Sequence, residues 1–489
     1  MGLAFIPTYI RYLGMEAYGL IGLFAALQAW LTLLDMGMTP TLNREMARYT
    51  AGAHSAESIQ DLLRSMEILC VSIGILIFLG AWAASGFLAN NWLQPQKLQH
   101  RDVAQALSIM AFVVSLRFVE GIYRGSLYGL QRQVWYNGVG AILATLRHGG
   151  AVAILAWGAS TVQAFFIWQG VISLLTLSVY ARSVHRLLPK APLPPRFSLQ
   201  AVAGVWKFAS GMLGITFLAL LLTQVDKVIL SRMLSLAEFG DYTLAATLAG
   251  AIGVVISPIT LALFPRMVEL GIANDQLSLN KIYHQGAQLI TILTAPAVLL
   301  LVFFAPGVVF MWSGNVELSV KVSPMLSALA LGTFLNGLMW MPYQCQLAFG
   351  WTSLTLKTNI VAVAFLIPAI VFIVPRYGGV GAAWIWVILN ASYIIFHIHF
   401  MHRRLILTEK WIWYFYDLLL PVGGALGVIV LAYGLRPDRL TDRWSWFVFL
   451  LMSGGLAFAA AVLSCNQIRP RVFVAVKRAI LSVAMKYGK

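Results

Sequence analysis

Long apolar runs follow one another along almost the whole chain, separated by short polar connections. Each run holds about 20 mainly apolar residues, which is the length that an α-helix needs to cross a bilayer. Membrane strands would instead show alternation over segments of about 10 residues. The pattern therefore predicts an all-α polytopic membrane protein. The predicted spans are 19–38, 66–88, 104–127, 136–157, 162–180, 208–230, 244–264, 287–309, 322–347, 354–374, 381–400, 411–433 and 444–464.

One polar stretch, 181–207, is longer than the other internal connections, and it contains Pro189, Pro192, Pro194 and Pro195. This composition favours a stiff, extended connector between two halves of the chain. The predicted organisation is an N-terminal lobe (1–182), a cytoplasmic linker (183–207), a C-terminal lobe (208–402), an extra helix pair (403–464) and a basic amphipathic cytoplasmic tail (465–489).

The two halves repeat each other at a constant offset, which places Arg11 on Arg232 and Gly19 on Gly240. A nearly constant offset over about 120 residues indicates an internal repeat. The helix before Arg232 begins near 208, and its counterpart would begin before residue 1, so the first helix is predicted to be truncated. The predicted fold has two pseudo-symmetric six-helix lobes plus two C-terminal helices, about 14 transmembrane helices in all.

Composition supports a membrane protein, because 60% of the 489 residues are hydrophobic and only 11% are charged. Soluble domains average about 45–50% and about 25%, so an ordinary soluble enzyme and a disordered chain are excluded. Three widely separated cysteines give neither a disulfide framework nor a zinc-binding spacing. We attribute the net charge of +16 to basic cytoplasmic connections, with both chain ends in the cytoplasm. No nucleic-acid partner is expected, since no basic-aromatic patch lies outside the spans.

Ionisable side chains within spans are costly and indicate function by default. Span 104–127 carries Arg117, Glu120 and Arg124 on one helical face, and the next span carries Arg147. The offset of the repeat replaces these four by uncharged residues, namely Leu338, Met341, Cys345 and Pro368. A purely structural role would favour charges in both halves, so we predict a water-filled cavity whose cationic wall comes from the first half. Arginine binds phosphate through two hydrogen bonds, which suits an anionic substrate.

Several of these charges have a structural alternative. Glu120 and Arg124 could form a satisfied intramembrane pair, and Arg124 could reach the interface. The candidates for ion coupling or gating are Asp35, Glu120, Asp226 and His148. Their alternatives are helix capping for Asp35, an interfacial pair with Lys227 for Asp226, and a bond to a neighbouring helix for His148.

No metal site, cofactor or enzymatic activity is predicted. The motifs GxxxxGK[ST], GxSxG and HExxH are absent from the sequence. His397, His399 and His402 cluster at the end of a span, but spacings of two and three residues are poor for one metal. We interpret these histidines as a solvated inner edge.

The segment 11–44 contains RYLGMEAYG from Arg11 to Gly19, then Gln28, Asp35-Met-Gly37 and Leu42-Asn-Arg44. It resembles the opening of polysaccharide (O-antigen, Wzx-type) flippases of the multidrug/oligosaccharidyl-lipid/polysaccharide exporter superfamily. The run YGGVGAAW at 377–384 also resembles that family. The shortened first helix departs from the family pattern.

The resemblance implies two six-helix lobes around a central cavity in the bacterial inner membrane. It implies translocation of undecaprenyl-pyrophosphate-linked oligosaccharide, an O-antigen, capsule or exopolysaccharide repeat unit, by alternating access. Membrane lipids and polysaccharide polymerase machinery are the implied partners, and segment 411–464 is the implied groove for the lipid tail. Similarity to lipid II flippases adds Arg44 and Arg266 as residues for transport.

Three alternatives to this function remain. The sequence alone distinguishes poorly between a lipid II flippase and an O-antigen flippase. A multidrug cation antiporter should have an acidic cavity, whereas this one is predicted to be basic. A polymerase or ligase of the same pathway should carry a large outer loop and no internal repeat.

Overall fold

The computed structural model describes residues 2–34, 38–50, 52, 54–189, 194–199, 217–218, 220–351, 353–437 and 440–470. All regular structure in these ranges is helical. Ten of the helices described there are long and apolar enough to cross a membrane. The prediction of an all-α polytopic membrane protein is confirmed.

The contacts divide the chain into two compact units, Met1–Gly240 and Asp241–Lys489. The predicted linker 183–207 includes residues 190–193 and 200–207, and the predicted tail includes 471–489, all of which lie outside the described residues. The predicted domain boundaries therefore stay predictions.

The first unit is built from helices joined by short connections. Side-chain caps mark two of the helix starts, because Ser55 accepts from the backbone N–H of Ser58 and Thr161 from that of Ala164. The helices are α1 (Gly2–Leu13), α2 (Met15–Leu34), α3 (Met38–Thr50), α4 (Ala56–Phe87, continued by a π-helical turn, Leu88–Trp92), α5 (His100–Gly129), α6 (Gln133–Trp157), α7 (Val162–Leu187) and α8 (220–233).

The second unit begins within a long helix whose first turn belongs to the first unit. Two π-helical segments, Tyr393–His397 and Trp413–Leu419, connect consecutive helices. The helices are α9 (Leu236–Ile272), α10 (Gln276–Phe303), α11 (Ala305–Ser313), α12 (Val316–Leu338), α13 (Trp340–Ala348), α14 (Ser353–Ser392), α15 (Ile398–Arg404), α16 (Lys410–Ile412), α17 (Leu420–Gly434) and α18 (Arg443–Leu463).

Two predicted spans differ from the observed helices. The run 287–309 is not one helix, because α10 ends at Phe303 and α11 begins at Ala305. The run 322–347 is likewise divided at Met339 between α12 and α13. Hydropathy misses both breaks because the residues at them are apolar. By contrast, a single helix, α14, contains residues of two predicted spans and kinks between them at Gly378 (φ 56°, ψ −147°). Glycine adopts this positive φ without steric cost.

The internal repeat also appears in the positions of the helix starts. The offset that places Arg11 on Arg232 also places Met15, which begins α2, on Leu236, which begins α9. The starts of α4 and α10 match at this offset to within one position, and so do the starts of α6 and α14. The relation between the two halves in sequence thus also holds for their secondary structure.

Helix α5 lies at the centre of the first unit, packed against α3, α4 and α7. Its last residue, Gly129, approaches α3 closely, since a Cβ there would lie 2.3 Å from the carbonyl oxygen of Asn43. This contact needs glycine at position 129. The side chains of α5 are consequently held between three neighbouring helices.

A buried carboxylate organises the connection that precedes α5. Glu16, only 6% exposed, accepts hydrogen bonds from the backbone N–H groups of residues 96, 97 and 98 at 3.0, 2.8 and 2.8 Å. Three charge-assisted hydrogen bonds thus converge on one carboxylate. The start of α2 is thereby tied to the segment between α4 and α5.

In the second unit, α17 and α18 pack together and against α10. Their shared core includes Ile292, Ala425 and Cys465. Helix α11 also packs against α18, where a Cβ on Gly307 would lie 2.1 Å from the Trp446 ring. The three cysteines of the chain are buried.

Candidate functional site

Arg117 extends from α5 toward α7 inside the first unit. Its Nε donates to Ser173 Oγ at 3.2 Å, and its Nη2 donates to Gln169 Oε1 at 2.9 Å. The guanidinium also lies over the Phe24 ring of α2, 5.0 Å from the centroid, a cation–π contact. All these partners are neutral, so they orient the guanidinium without neutralising its charge.

Arg147 reaches the same helix from α6. Its Nη2 donates to Thr176 Oγ1 at 3.3 Å, and the Thr176 hydroxyl itself donates to the Ile172 carbonyl at 2.6 Å. The Nε of Arg147 is buried and has no hydrogen-bond partner. Buried polar groups are nearly always paired, so an unpaired one needs an explanation.

Glu120 lies on α5 among the three predicted arginines and interacts electrostatically with Arg147, Arg117 and Arg124. Within the described part of the chain, no cation forms an ion pair with its carboxylate within 4.0 Å. Arg124 is exposed and is hydrogen-bonded to Tyr136 of α6. The structure therefore brings together four of the predicted residues, with three positive charges and one negative.

Tyrosines complete this group at the end nearer Arg124. The rings of Tyr136 and Tyr180 lie 5.0 Å apart, and Tyr128 lies 5.2 Å from Tyr136. Tyr180 interacts electrostatically with Arg147 and Arg124. Tyrosine side chains thus lie beside the arginines. We call Arg117, Glu120, Arg124, Arg147, Tyr128, Tyr136 and Tyr180 the arginine cluster.

His148, next to Arg147, is bonded to α1. The Tyr9 hydroxyl lies 3.1 Å from its Nδ1 and donates to its carbonyl oxygen at 3.2 Å. The Phe5 ring stacks on the imidazole at 5.8 Å between centroids. These contacts agree with the interpretation of a histidine that bonds a neighbouring helix, and its role as a proton site stays a prediction.

The other predicted residues lie elsewhere. Arg44, on α3, is half exposed, with its Nε 3.7 Å from Glu45 Oε1. Arg266, on α9 of the second unit, pairs with Glu269 and is 52% exposed. Asp226 is partly buried on α8, next to Lys227, whose ammonium donates to the Thr223 carbonyl at 3.1 Å. Asp35 lies outside the described residues.

The interpretation of the histidines near α15 as a solvated edge is wrong. His397 is 5% exposed and His402 1%. His397 contacts the amide of Gln346 at 2.6 Å, and His402 contacts the Tyr283 hydroxyl at 3.2 Å. Neighbouring helices cover both rings, which a linear hydropathy pattern does not reveal. Within the described residues, no group of three metal-ligating side chains occurs.

The sequence profile of the family described as "Polysaccharide biosynthesis protein" matches residues 1–271, which is more than half of the chain. The chain belongs to this family. Two relatives are named "Putative O-antigen transporter". The protein from Shigella flexneri is 22% identical over 404 residues, covering 79% of this chain and 93% of the relative. The protein from Salmonella typhimurium is 21% identical over 299 residues, covering 57% and 64%.

Solved transporters share the fold of this polysaccharide biosynthesis protein. The lipid II flippase MurJ, in an inward closed conformation, has a TM-score of 0.68 at 14% identity, covering 94% of this chain and 96% of that chain. An inward-facing multidrug resistance MATE transporter of the MOP superfamily has a TM-score of 0.63 at 16% identity, covering 82% and 93%. The predicted family, the Wzx-type flippases of this superfamily, is confirmed. The protein is a multi-pass transporter of the bacterial inner membrane.

Sequence reasoning missed the neutral partners of the arginines in this polysaccharide biosynthesis protein. Gln169, Ser173 and Thr176 lie at spacings of four and three along α7, so a polar stripe on an otherwise apolar helix was the available signal. A second buried group, His284 with Asp417 and Glu409, was also missed, because the histidine lies far along the chain from either carboxylate.

Proposed function

We propose that this transporter is a flippase that moves undecaprenyl-pyrophosphate-linked oligosaccharide across the inner membrane by alternating access. The cargo class is an O-antigen, capsule or exopolysaccharide repeat unit. The observation that carries the proposal is the arginine cluster, in which Arg147 keeps a buried Nε–H without a partner.

The charge of the cluster suits a pyrophosphate. Three arginines against Glu120 leave a net charge of +2, and the partners of Arg117 and Arg147 are neutral. A pyrophosphate that crosses a region of low dielectric constant loses its hydration, which costs many kcal/mol unless cations replace the water. Guanidinium groups offer paired N–H donors for phosphate oxygens. Residues that α7 already orients lose little entropy on binding.

The remaining predicted residues take proposed roles around this cluster. Asp35, Asp226 and His148 are candidates for ion coupling or gating, and Arg44 and Arg266 for transport at the ends of their helices. We assign α17 and α18 to the groove for the lipid tail. Polysaccharide polymerase machinery would receive the translocated cargo. The relatives named as O-antigen transporters support a cargo of this class.

Complementation tests the proposal. The chain is expressed in a bacterial strain that lacks its own O-antigen flippase, and surface polysaccharide is scored at equal membrane levels of each variant. Wild type should restore surface polysaccharide, and Arg147→Ala should abolish it. The control is Lys321→Ala, which removes an exposed cation that pairs with Glu317 at 2.8 Å and should behave as wild type.

Two results would overturn the proposal. Full restoration by Arg147→Ala would remove the arginine cluster from the mechanism. Failure of wild type to restore polysaccharide, combined with export of cationic dyes from the same cells, would replace the flippase by a cation antiporter.

A further inference from the structure

A buried histidine in the second unit has a carboxylate on each side of its ring. His284 of α10 contacts Asp417 Oδ2 through Nδ1, and its Nε2 lies 3.2 Å from Glu409 Oε2. The side chains of His284 and Asp417 are 4% and 1% exposed, and that of Glu409 is 18% exposed. The arrangement lies far along the chain from the arginine cluster and takes no part in the proposed cargo binding.

The second oxygen of each carboxylate already accepts a hydrogen bond from an amide. Gln288 Nε2 donates to Asp417 Oδ1 at 2.9 Å, and Asn280 Nδ2 donates to Glu409 Oε1 at 3.0 Å. Both carboxylates are therefore oriented by α10, with their other oxygens directed at the imidazole. Amides that donate to a carboxylate favour its ionised form.

The geometry requires one proton more than a neutral imidazole and two carboxylates contain. A neutral imidazole has one N–H and one bare nitrogen, whereas both nitrogens here face carboxylate oxygens. With neutral His284 and two carboxylates, one contact would bring two lone pairs together inside the protein. One additional proton, on the imidazole or on a carboxylate, makes both contacts into hydrogen bonds. It also reduces the buried charge from −2 to −1, which lowers the desolvation cost.

The two nearest basic side chains, those of Lys410 and His402, form hydrogen bonds with other partners. Lys410 lies next to Glu409, but its ammonium group contacts His399 Nδ1 at 3.0 Å. His402 is satisfied as a neutral ring, since its Nδ1 lies 3.1 Å from the Ile398 carbonyl and its Nε2 lies 3.2 Å from the Tyr283 hydroxyl. Tyr283 and Cys465 interact electrostatically with Asp417, and Cys345 and Tyr414 interact with Tyr283.

The cluster connects α10 to two segments near the helix pair. Asp417 belongs to the π-helical segment before α17, and Gln288 of α10 donates to Asn466 Oδ1, just after α18, at 2.7 Å. We propose that His284, Asp417 and Glu409 form a proton-binding site that fastens the segment 409–419 and the end of α18 to α10. Release of the proton leaves a bare imidazole nitrogen facing a carboxylate oxygen. The repulsion between their lone pairs loosens this attachment. Glu409, the most exposed of the three, is the route by which the proton exchanges with water.

Glutamine at position 409 provides a variant that needs no extra proton. The Glu409→Gln amide can donate to Nε2 of a neutral imidazole while its Nδ1–H remains directed at Asp417, so both contacts persist at every pH. The matched control is His402→Gln, which removes a neighbouring buried histidine that binds no additional proton. Asp417→Asn is the second neutral variant, in case Glu409→Gln accumulates poorly in the membrane.

The readout is alkylation of Cys465, which is buried beside α10, in the purified full-length protein. Mass spectrometry gives the rate between about pH 6 and 9, and the ratio of wild type to Glu409→Gln at each pH cancels the intrinsic titration of the thiol. Because wild type loses one proton as the pH rises and Glu409→Gln does not, the ratio of their alkylation rates should increase with pH, by up to about tenfold per pH unit. The His402→Gln variant should follow wild type.

A ratio of wild type to Glu409→Gln that stays constant over this pH range would overturn the proposal. Loss of the pH response in His402→Gln would also overturn it, because that variant keeps all three proposed groups. The measurement needs no cargo, so it stands or falls independently of the flippase assignment.

Discussion

Replacement of Arg147 by methionine should stabilise the transporter while it abolishes transport. The buried Nε of Arg147 has no hydrogen-bond partner, and an unsatisfied buried donor costs about 1–3 kcal/mol. Methionine fills a similar volume without a polar atom. Among the described residues, the change removes one hydrogen bond, the 3.3 Å contact with Thr176, whose hydroxyl keeps its bond to the Ile172 carbonyl.

The electrostatic interactions of Arg147 should not turn this expected stabilisation into a destabilisation. Arg147 attracts Glu120 but repels Arg117, so its removal loses a favourable interaction and relieves an unfavourable one. The expected gain of about 1–3 kcal/mol corresponds to a rise in melting temperature of roughly 1–3 °C for a chain of this size.

Arg117→Met is the matched comparison, because the same chemical change at that position should destabilise. It removes two hydrogen bonds, to Ser173 and Gln169, and leaves the Gln169 side chain, 3% exposed, without that partner. The expected loss is about 1–3 kcal/mol. Both variants are compared with wild type by thermal unfolding of purified protein in detergent.

A melting temperature of Arg147→Met as far below wild type as that of Arg117→Met would contradict this prediction. Arg147 would then be a structural residue, and its unpaired donor would carry no functional meaning. Stabilisation with full transport would also count against a role in cargo binding.

Three further predictions concern packing and caps, and each is measured by thermal unfolding. Gly307→Val should lower the melting temperature, since a Cβ there would lie 2.1 Å from the Trp446 ring and overpacking costs about 1–3 kcal/mol; an unchanged temperature would contradict the close approach. Glu16→Ala should destabilise more than Glu16→Gln, because alanine removes the acceptor of three backbone amides whereas glutamine keeps one acceptor oxygen. Hydrogen bonds from Ser445 hold the pKa of Asp442 below its ordinary value, so this contribution to stability is complete above about pH 4 and is lost as the pH falls further. Asp442→Asn lacks the contribution at every pH, so it should lower the melting temperature at neutral pH and reduce the acid-induced decrease.

Sequence reasoning located the helices well because a bilayer demands long apolar runs, and such runs are visible without any tertiary information. It failed where an apolar chain breaks or bends, as at Phe304 and Met339, since hydropathy does not record backbone conformation. The internal repeat, by contrast, could be recognised from the sequence. It depends on the spacing of many residues, and it recurs in the helix starts.

The candidate site was only partly visible in the sequence. Arg117, Glu120 and Arg124 could be grouped because they share one helix face, and the structure adds Arg147 from the next helix. Their neutral partners on α7 carry no charge and gave a weak signal. His284 and Asp417 could not be paired in advance, because they are distant in sequence and only tertiary packing brings them together.

The arginine contacts with α7 also bear on how the protein enters the membrane during synthesis. A charged residue at the centre of a lipid-exposed helix costs about 2.5–3.5 kcal/mol, and the span of α5 carries Arg117, Glu120 and Arg124. The Ser173 hydroxyl that receives Arg117 follows it by 56 residues, which at about 5–20 residues per second is a delay of roughly 3–11 s. During that interval α5 lacks its partner, so its insertion is provisional until α7 arrives. A nascent chain that stops before α7 leaves Arg117 without the groups that hold it in the bilayer.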